Sequence, residues 1–196
     1  MSWPDICLKL PEWLRKTAGD EPLFLKSDEG KMRMAVELGR LNMRNRTGGP
    51  FGACVFEMET GRLISPGVNL VISSNHSIAH AEVVALAVAQ QIFKSYDLSA
   101  RGTGNYELVT STEPCMMCMG TALWSGVRRI VCGAGDADAR EIGFDEGVKP
   151  DNWIAEFEKR GIAVSCGVLR AEAVQVLREY ADGDGVVYNA RKGMNY

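Results

Sequence analysis

From residue 51 onward, apolar runs of strand length alternate with longer stretches whose apolar residues recur at helical spacing, which confines the chain to a sheet covered by helices. Strand signals fall at 51–57 and 63–70, on either side of the Glu59-Thr60-Gly61 turn, and again at 106–111, 129–132 and 163–166. Helical signals fall at 80–94, rich in Ala, Val and Leu, and at 115–124, 152–160 and 171–180. Upstream, 28–44 reads as a helix: Met34, Leu38 and Leu41 share a face, Asp28 and Glu29 sit at the positive end, and the run from Asn45 to Pro50 stops it. Ile130-Val131-Cys132 is apolar without interruption, as expected of a strand covered on both faces. The expectation is an α/β fold, a single three-layer α/β/α domain over 28–182 with a central mixed five-stranded sheet. Residues 1–27, with Pro4, Pro11 and Pro22 among aromatics, read as an irregular or short-helical arm lying on that domain. Residues 183–196, where Val186, Val187, Tyr188 and Tyr196 stand among glycines and charges, read as a tail that docks on it.

A chain of 196 residues, 46% of them apolar, buries roughly 70% of the surface its unfolded form exposes, which excludes disordered and collagen-like classes. The net charge is −3, from 22 basic and 25 acidic side chains. The isoelectric point near 5.5 and the balance of Arg170, Arg178, Arg191 and Lys192 against Glu172, Glu179, Asp182 and Asp184 provide no basic platform, which weighs against a nucleic-acid partner. The longest apolar stretch, 83–89, falls far short of the roughly 20 residues of a membrane span. Met1-Ser2-Trp3-Pro4-Asp5 lacks the basic start and apolar core of a secretory signal, so a cytoplasmic location is expected. The six cysteines are too sparse for a disulfide scaffold and should be thiols or metal ligands. Cys54, Cys132 and Cys166 fall on strand patterns and are expected to pack in the core.

Two short patterns carry chemistry. His80-Ala81-Glu82 opens one helix, and Glu113-Pro114-Cys115-Met116-Met117-Cys118 opens another just after a strand. Cysteines three apart in a first helical turn point to one side, where unpaired backbone N–H groups favour thiolates. Proline suits a helix start, where its missing donor costs little. One imidazole and two thiolates are a donor set that zinc prefers, and three protein ligands leave the fourth tetrahedral position open for water, the mark of a catalytic rather than a structural site. Two thiolates cancel the ion's charge, so such a site needs a base nearby, and Glu82 is placed to be that base. No second Cys pair exists to close a structural site, and His76, in the Ser73-Ser74-Asn75 loop, is expected to be exposed rather than a ligand.

His80-x-Glu82 followed by Pro114-Cys115-x-x-Cys118 resembles the cytidine-deaminase-like superfamily of zinc hydrolases, whose signature this is. Gly48-Gly49-Pro50-Phe51-Gly52-Ala53, Asn69, Trp124 six residues beyond Cys118, and Ile142-Gly143-Phe144-Asp145-Glu146 resemble the bacterial guanine deaminase branch. The resemblance implies one zinc ion per subunit on His80, Cys115 and Cys118. It implies a base pocket lined by Phe51 and Trp124, with Asn69 reading the ring and Ala81 offering a backbone N–H. It also implies a second acid at Glu146, where some relatives carry Asp, and a homodimer in which the C-terminal segment, Tyr196 included, caps its own or the partner's site.

The expected reaction is hydrolytic deamination of an aminated heterocycle, guanine to xanthine and ammonia in first place. An s-triazine, a pterin, guanosine or a cytosine-type substrate is an alternative, and a zinc-stabilised binding protein of the same fold is the non-enzyme reading. Replacing a ring amine by an oxo group needs a proton on a ring nitrogen and another on the departing amine, work that Glu82 and Glu146 can divide.

Overall fold

The fold is seen in a computed structural model, which describes residues 3–17, 21–100, 104–183 and 185–190. In chain order the elements are α1 (Glu12–Thr17), α2 (Asp28–Arg44), β1 (Gly52–Glu57), β2 (Leu63–Val68), α3 (Val71–Ser74), α4 (Ala81–Phe93), β3 (Tyr106–Thr112), α5 (Met116–Ser125), β4 (Arg129–Ala134), α6 (Asp136–Glu141), α7 (Trp153–Glu158), β5 (Ala163–Ser165) and α8 (Arg170–Asp182). The strands form one mixed sheet in the order β2-β1-β3-β4-β5. β1 runs antiparallel to both β2 and β3, while β3, β4 and β5 are mutually parallel. The expected single α/β domain with a five-stranded mixed sheet is the fold the chain adopts.

Period-two alternation explains the layers. In β1, Cys54 and Phe56 join Met32, Ala35, Val36 and Leu38 of α2 and Ala173, Val176 and Leu177 of α8 on one face. Ala53 and Val55 point the other way, into a cluster with Ala81, Ala85 and Leu86 of α4, Met119 of α5 and Trp153 and Phe157 of α7. Both faces of β3 and β4 are covered in the same manner, which is why Ile130-Val131-Cys132 in β4 reads as an unbroken apolar run. The N-terminal arm contributes to the core as well. Leu14 of α1 is fully buried against the α2 side, which stabilises the fold by about 1.5–3 kcal/mol.

The differences from expectation have local causes. β2 stops at Val68 rather than residue 70, and it carries Pro66, tolerated because β2 is an edge strand. α3 and α6 are too short for a periodic signal. The strand expected at 163–166 ends at Ser165, and Cys166 is exposed rather than packed, whereas Cys54 and Cys132 are buried as expected. Gly67 lets α4 lie close on β2: a Cβ there would stand 2.3 Å from the Ala81 carbonyl oxygen and 2.4 Å from the Ala85 nitrogen.

The two ends of the parallel strands differ in character. At the amino end of β3 and β4, a buried charge network ties Lys31 Nζ to Glu107 at 2.5 Å, and Arg129 to both Glu107 (2.9 Å) and Asp28 (2.5 Å). Breaking such a buried pair by removing one partner costs about 3–5 kcal/mol. The carboxyl end is where the helices carrying the sequence motifs begin. No helix among the described residues is long and apolar enough to cross a membrane.

Candidate active site

His80 is the N-cap of α4 and Cys115 the N-cap of α5, both in extended conformation, so each side chain projects from a helix mouth rather than along its flank. Glu82 and Cys118 lie in the first turns just behind them, buried. α4 and α5 pack side by side, bringing the two mouths together. The sulfur of Cys115 stands 3.5 Å and that of Cys118 3.6 Å from His80 Nδ1. Ligand atoms of the three residues all fall within 4.8 Å of one another, a spacing that a single ion can bridge. Soft thiolates with an imidazole fit zinc. Cys118 also donates to Glu82 Oε2 at 3.4 Å, which sets the carboxylate against the donor cluster.

In front of these residues opens a cavity of about 380 Å³, within the range of small-molecule sites. Phe51 and Phe144 form an apolar wall, their rings edge to face with centroids 4.9 Å apart. Asn69, at the end of β2, lines another side. Asn42 of α2 holds its backbone by donating to the Asn69 carbonyl at 2.7 Å and to that of Gly49 at 2.8 Å. Tyr188 closes the cavity from the tail, accepting a hydrogen bond from Asn69 at 2.5 Å and lying edge-on to His80 and Phe144. Asn189 clips that tail to the Phe144–Glu146 loop, accepting from the Asp145 N–H at 2.9 Å and donating to the Gly143 carbonyl at 2.7 Å. Among the described residues of the tail, Tyr188, Asn189 and Ala190 line the cavity.

Residues 25–134 match the family described as "Cytidine and deoxycytidylate deaminase zinc-binding region". The chain belongs to that deaminase family. Among solved structures, guanine deaminase from Nitrosomonas europaea superposes with a TM-score of 0.87 at 46% identity, covering 91% of this chain and 97% of that one. A complex with 2,6-diaminopurine superposes at 0.88 with 48% identity, over 94% of this chain and 97% of its own. Guanine deaminase of Bacillus subtilis is 36% identical over 115 residues, 59% of this chain and 69% of its own length. The deaminase is therefore a zinc-dependent aminohydrolase, and the reading as a mere zinc-stabilised binding protein falls.

Charge in the deaminase site follows from burial and from the donor cluster. Burial, with the negative charge of Cys115 behind it, raises the pKa of Glu82. The same two causes push Glu146 up to about 8, against the opposing pull of the Lys149 ammonium. Cys115 is lowered to about 4, first by the hydrogen bond from Cys118 and then by His80. Burial opposes a charge on His80, but the hydrogen bond and charge of Cys115, with Glu82 and Glu146 beyond, raise its pKa on balance.

Of the residues singled out in the sequence, His80, Cys115, Cys118, Glu82, Glu146, Phe51 and Asn69 meet at one place. Ala81 opens α4 fully buried, its N–H among those a helix leaves without an intrahelical acceptor. Trp124 does not join them: it is 79% exposed and outside the cavity lining. Six residues beyond Cys118 it lies about 240° around the helix, off the face carrying Cys118, Met119 and Ala122. His76 is neither a member of the donor cluster nor freely exposed; it is half-buried, with Nδ1 enclosed and unpaired. Tyr196 lies outside the described residues. Sequence reasoning missed Phe144 and Tyr188 as cavity walls, and Lys149, whose ammonium stands 2.6 Å from Asp136, 3.9 Å from Glu113 and 4.0 Å from Glu146. An aromatic in a tail that otherwise looks frayed was the available signal for Tyr188.

Proposed function

We propose that the deaminase acts on guanine, releasing xanthine and ammonia, and that Glu82 and Glu146 divide the proton transfers. The observation that carries this reading is the meeting of two buried carboxyl groups on one cavity beside the His80, Cys115 and Cys118 donors. A flat base fits between Phe51, Phe144 and Tyr188, and the Asn69 amide has both a donor and an acceptor to offer a purine edge. His80, Cys115 and Cys118 would hold zinc, which would supply an acidified water as the nucleophile. Glu82, buried in the first turn of α4 beside His80, takes the proton of the attacking water and returns it to a ring nitrogen. Glu146, whose pKa burial raises, passes a proton to the departing amine and takes one back from the hydroxyl on the ring carbon, which becomes the oxo group. Tyr188 and Asn189 exclude bulk water while this happens. The similarity to guanine deaminases supports the choice of ring.

The same reading places the enzyme in the cytoplasm, where thiol ligands stay reduced, and makes it a homodimer. Met116, 58% exposed, and Trp124 lie two turns apart on one outward face of α5, an apolar surface that a second copy would cover.

The test is ammonia release from the zinc-loaded enzyme with guanine, guanosine, a pterin, an amino-s-triazine, cytosine and cytidine, with the oxo product identified in each case. Guanine is expected to have the highest kcat/KM. A higher value for any other ring transfers the assignment to that ring.

A further inference from the structure

The parallel register that pairs Ile130 with Val164 and Val131 with Ser165 sets Cys132 beside Cys166 one step further on. Neighbouring strands run about 4.8 Å apart, inside the about 4.4–6.8 Å between α-carbons that a disulfide spans. The two sulfur atoms stand 3.2 Å apart. Their surroundings are unequal: Cys132 is fully buried and Cys166 is exposed. The hydrogen bond between them, chiefly, lowers the pKa of Cys166 and raises that of Cys132, which favours ionisation of Cys166 over Cys132. Neither residue belongs to the metal-donor cluster. The dithiol therefore combines an accessible nucleophile with a resolving thiol already in contact, an arrangement that core packing alone does not call for.

We propose that Cys132 and Cys166 form a reversible oxidation site, which peroxide converts to an interstrand disulfide while Cys115 and Cys118 remain on the metal. The Cys166 thiolate attacks one oxygen of hydrogen peroxide. The O–O bond breaks, hydroxide leaves and takes up a proton as water, and Cys166 becomes a sulfenic acid, oxidised by two electrons. The Cys132 sulfur attacks that sulfenic sulfur; the S–S bond forms, the S–O bond breaks, and the Cys132 proton leaves with the hydroxyl as a second water. Two thiols and one peroxide become one disulfide and two waters, and a small dithiol reverses the change. Cys118 is fully buried and Cys115 nearly so, and metal ligation would engage their sulfurs, so the exposed Cys166 is expected to react before either.

The test treats the zinc-loaded enzyme, in a Cys7→Ser background, with stoichiometric hydrogen peroxide. It then maps non-reduced peptides while a chelating dye follows zinc. The expected result is a Cys132–Cys166 linked peptide and a loss of two hydrogen masses per chain, reversed by dithiothreitol, with zinc still bound. In Cys132→Ser the link is lost and dimedone traps a sulfenic acid at Cys166. In Cys166→Ser, a change at an exposed position, Cys132 stays reduced. The proposal is overturned if wild-type Cys166 stays reduced, if it proceeds to sulfinic acid beside a free Cys132, or if zinc leaves in step with oxidation.

Discussion

The side-chain amide of Asn69 donates to the phenolic oxygen of Tyr188 at 2.5 Å, joining the end of β2 to a residue 119 positions later in the chain. Through this bond the tail and the pocket floor are ordered together. Tyr188→Phe keeps the ring but leaves a buried amide unpaired, a cost of about 1–3 kcal/mol. It is expected to lower kcat/KM with little change in zinc content. Removal of all residues after Asp182 is expected to lower it further, and steady-state kinetics that match wild type would reject a covering role for the tail.

Glu82 shares the α4 mouth with His80 and accepts from Cys118. Glu82→Gln preserves size and leaves the three donors in place, so zinc content should hold at one ion per chain while kcat drops by about 10²–10⁴-fold. Metal analysis and turnover measured on the same sample check both halves. Near-normal turnover would remove the base role.

For Glu146 the expectation differs in kind. Glutamine there can still hydrogen-bond but has no proton to give, so kcat should fall well beyond any change in KM. A variant that raises KM alone would make Glu146 a binding residue.

Gly67→Ala tests how the α4 mouth is seated. Its new methyl must displace the Ala81 and Ala85 backbone, which lies within 2.4 Å of the Cβ position. Overpacking of this sort costs about 1–3 kcal/mol. Thermal unfolding should shift downward and zinc affinity should weaken together; a lowered melting temperature with unaltered zinc affinity would show that the mouth tolerates the shift.

Acid stability reports on carboxylates remote from the metal. The Arg170 guanidinium beside Asp138, and that of Arg129 beside Asp28, hold these carboxyls below their ordinary range through hydrogen bonds. A carboxyl depressed in the folded state contributes stability that is present above its unfolded value, near about 3.9, and is lost as pH falls through the folded value. Asp138→Asn should therefore melt below wild type at pH 6, and the gap between the two curves should narrow as pH falls below about 3.9. A gap that does not narrow anywhere below that pH would contradict the assignment.

Local spacing made half of the site readable. A ligand and base two residues apart at one helix mouth, and two sulfurs three apart at another, are brought together by the geometry of a single helical turn, so His80, Glu82, Cys115 and Cys118 could be named without knowing where the helices pack. Strand alternation likewise exposed the three layers, because Ala53 and Cys54 must face opposite sides of the sheet whatever lies there. Trp124 shows the limit: its distance from Cys118 in the chain was suggestive, but its angle around α5 turned it outward.

The amino-acid order by itself determined the helix mouths, their donors and the strand-helix alternation, since these depend on neighbours within a turn or a strand. Only the tertiary structure decided that Tyr188 faces His80 and Phe144, that Lys149 stands against Asp136 and Glu113, and that the exposed Cys166 lies beside the buried Cys132. Those contacts join residues far apart in the chain, and they follow from strand order and helix packing, which arise only when the whole core closes at once.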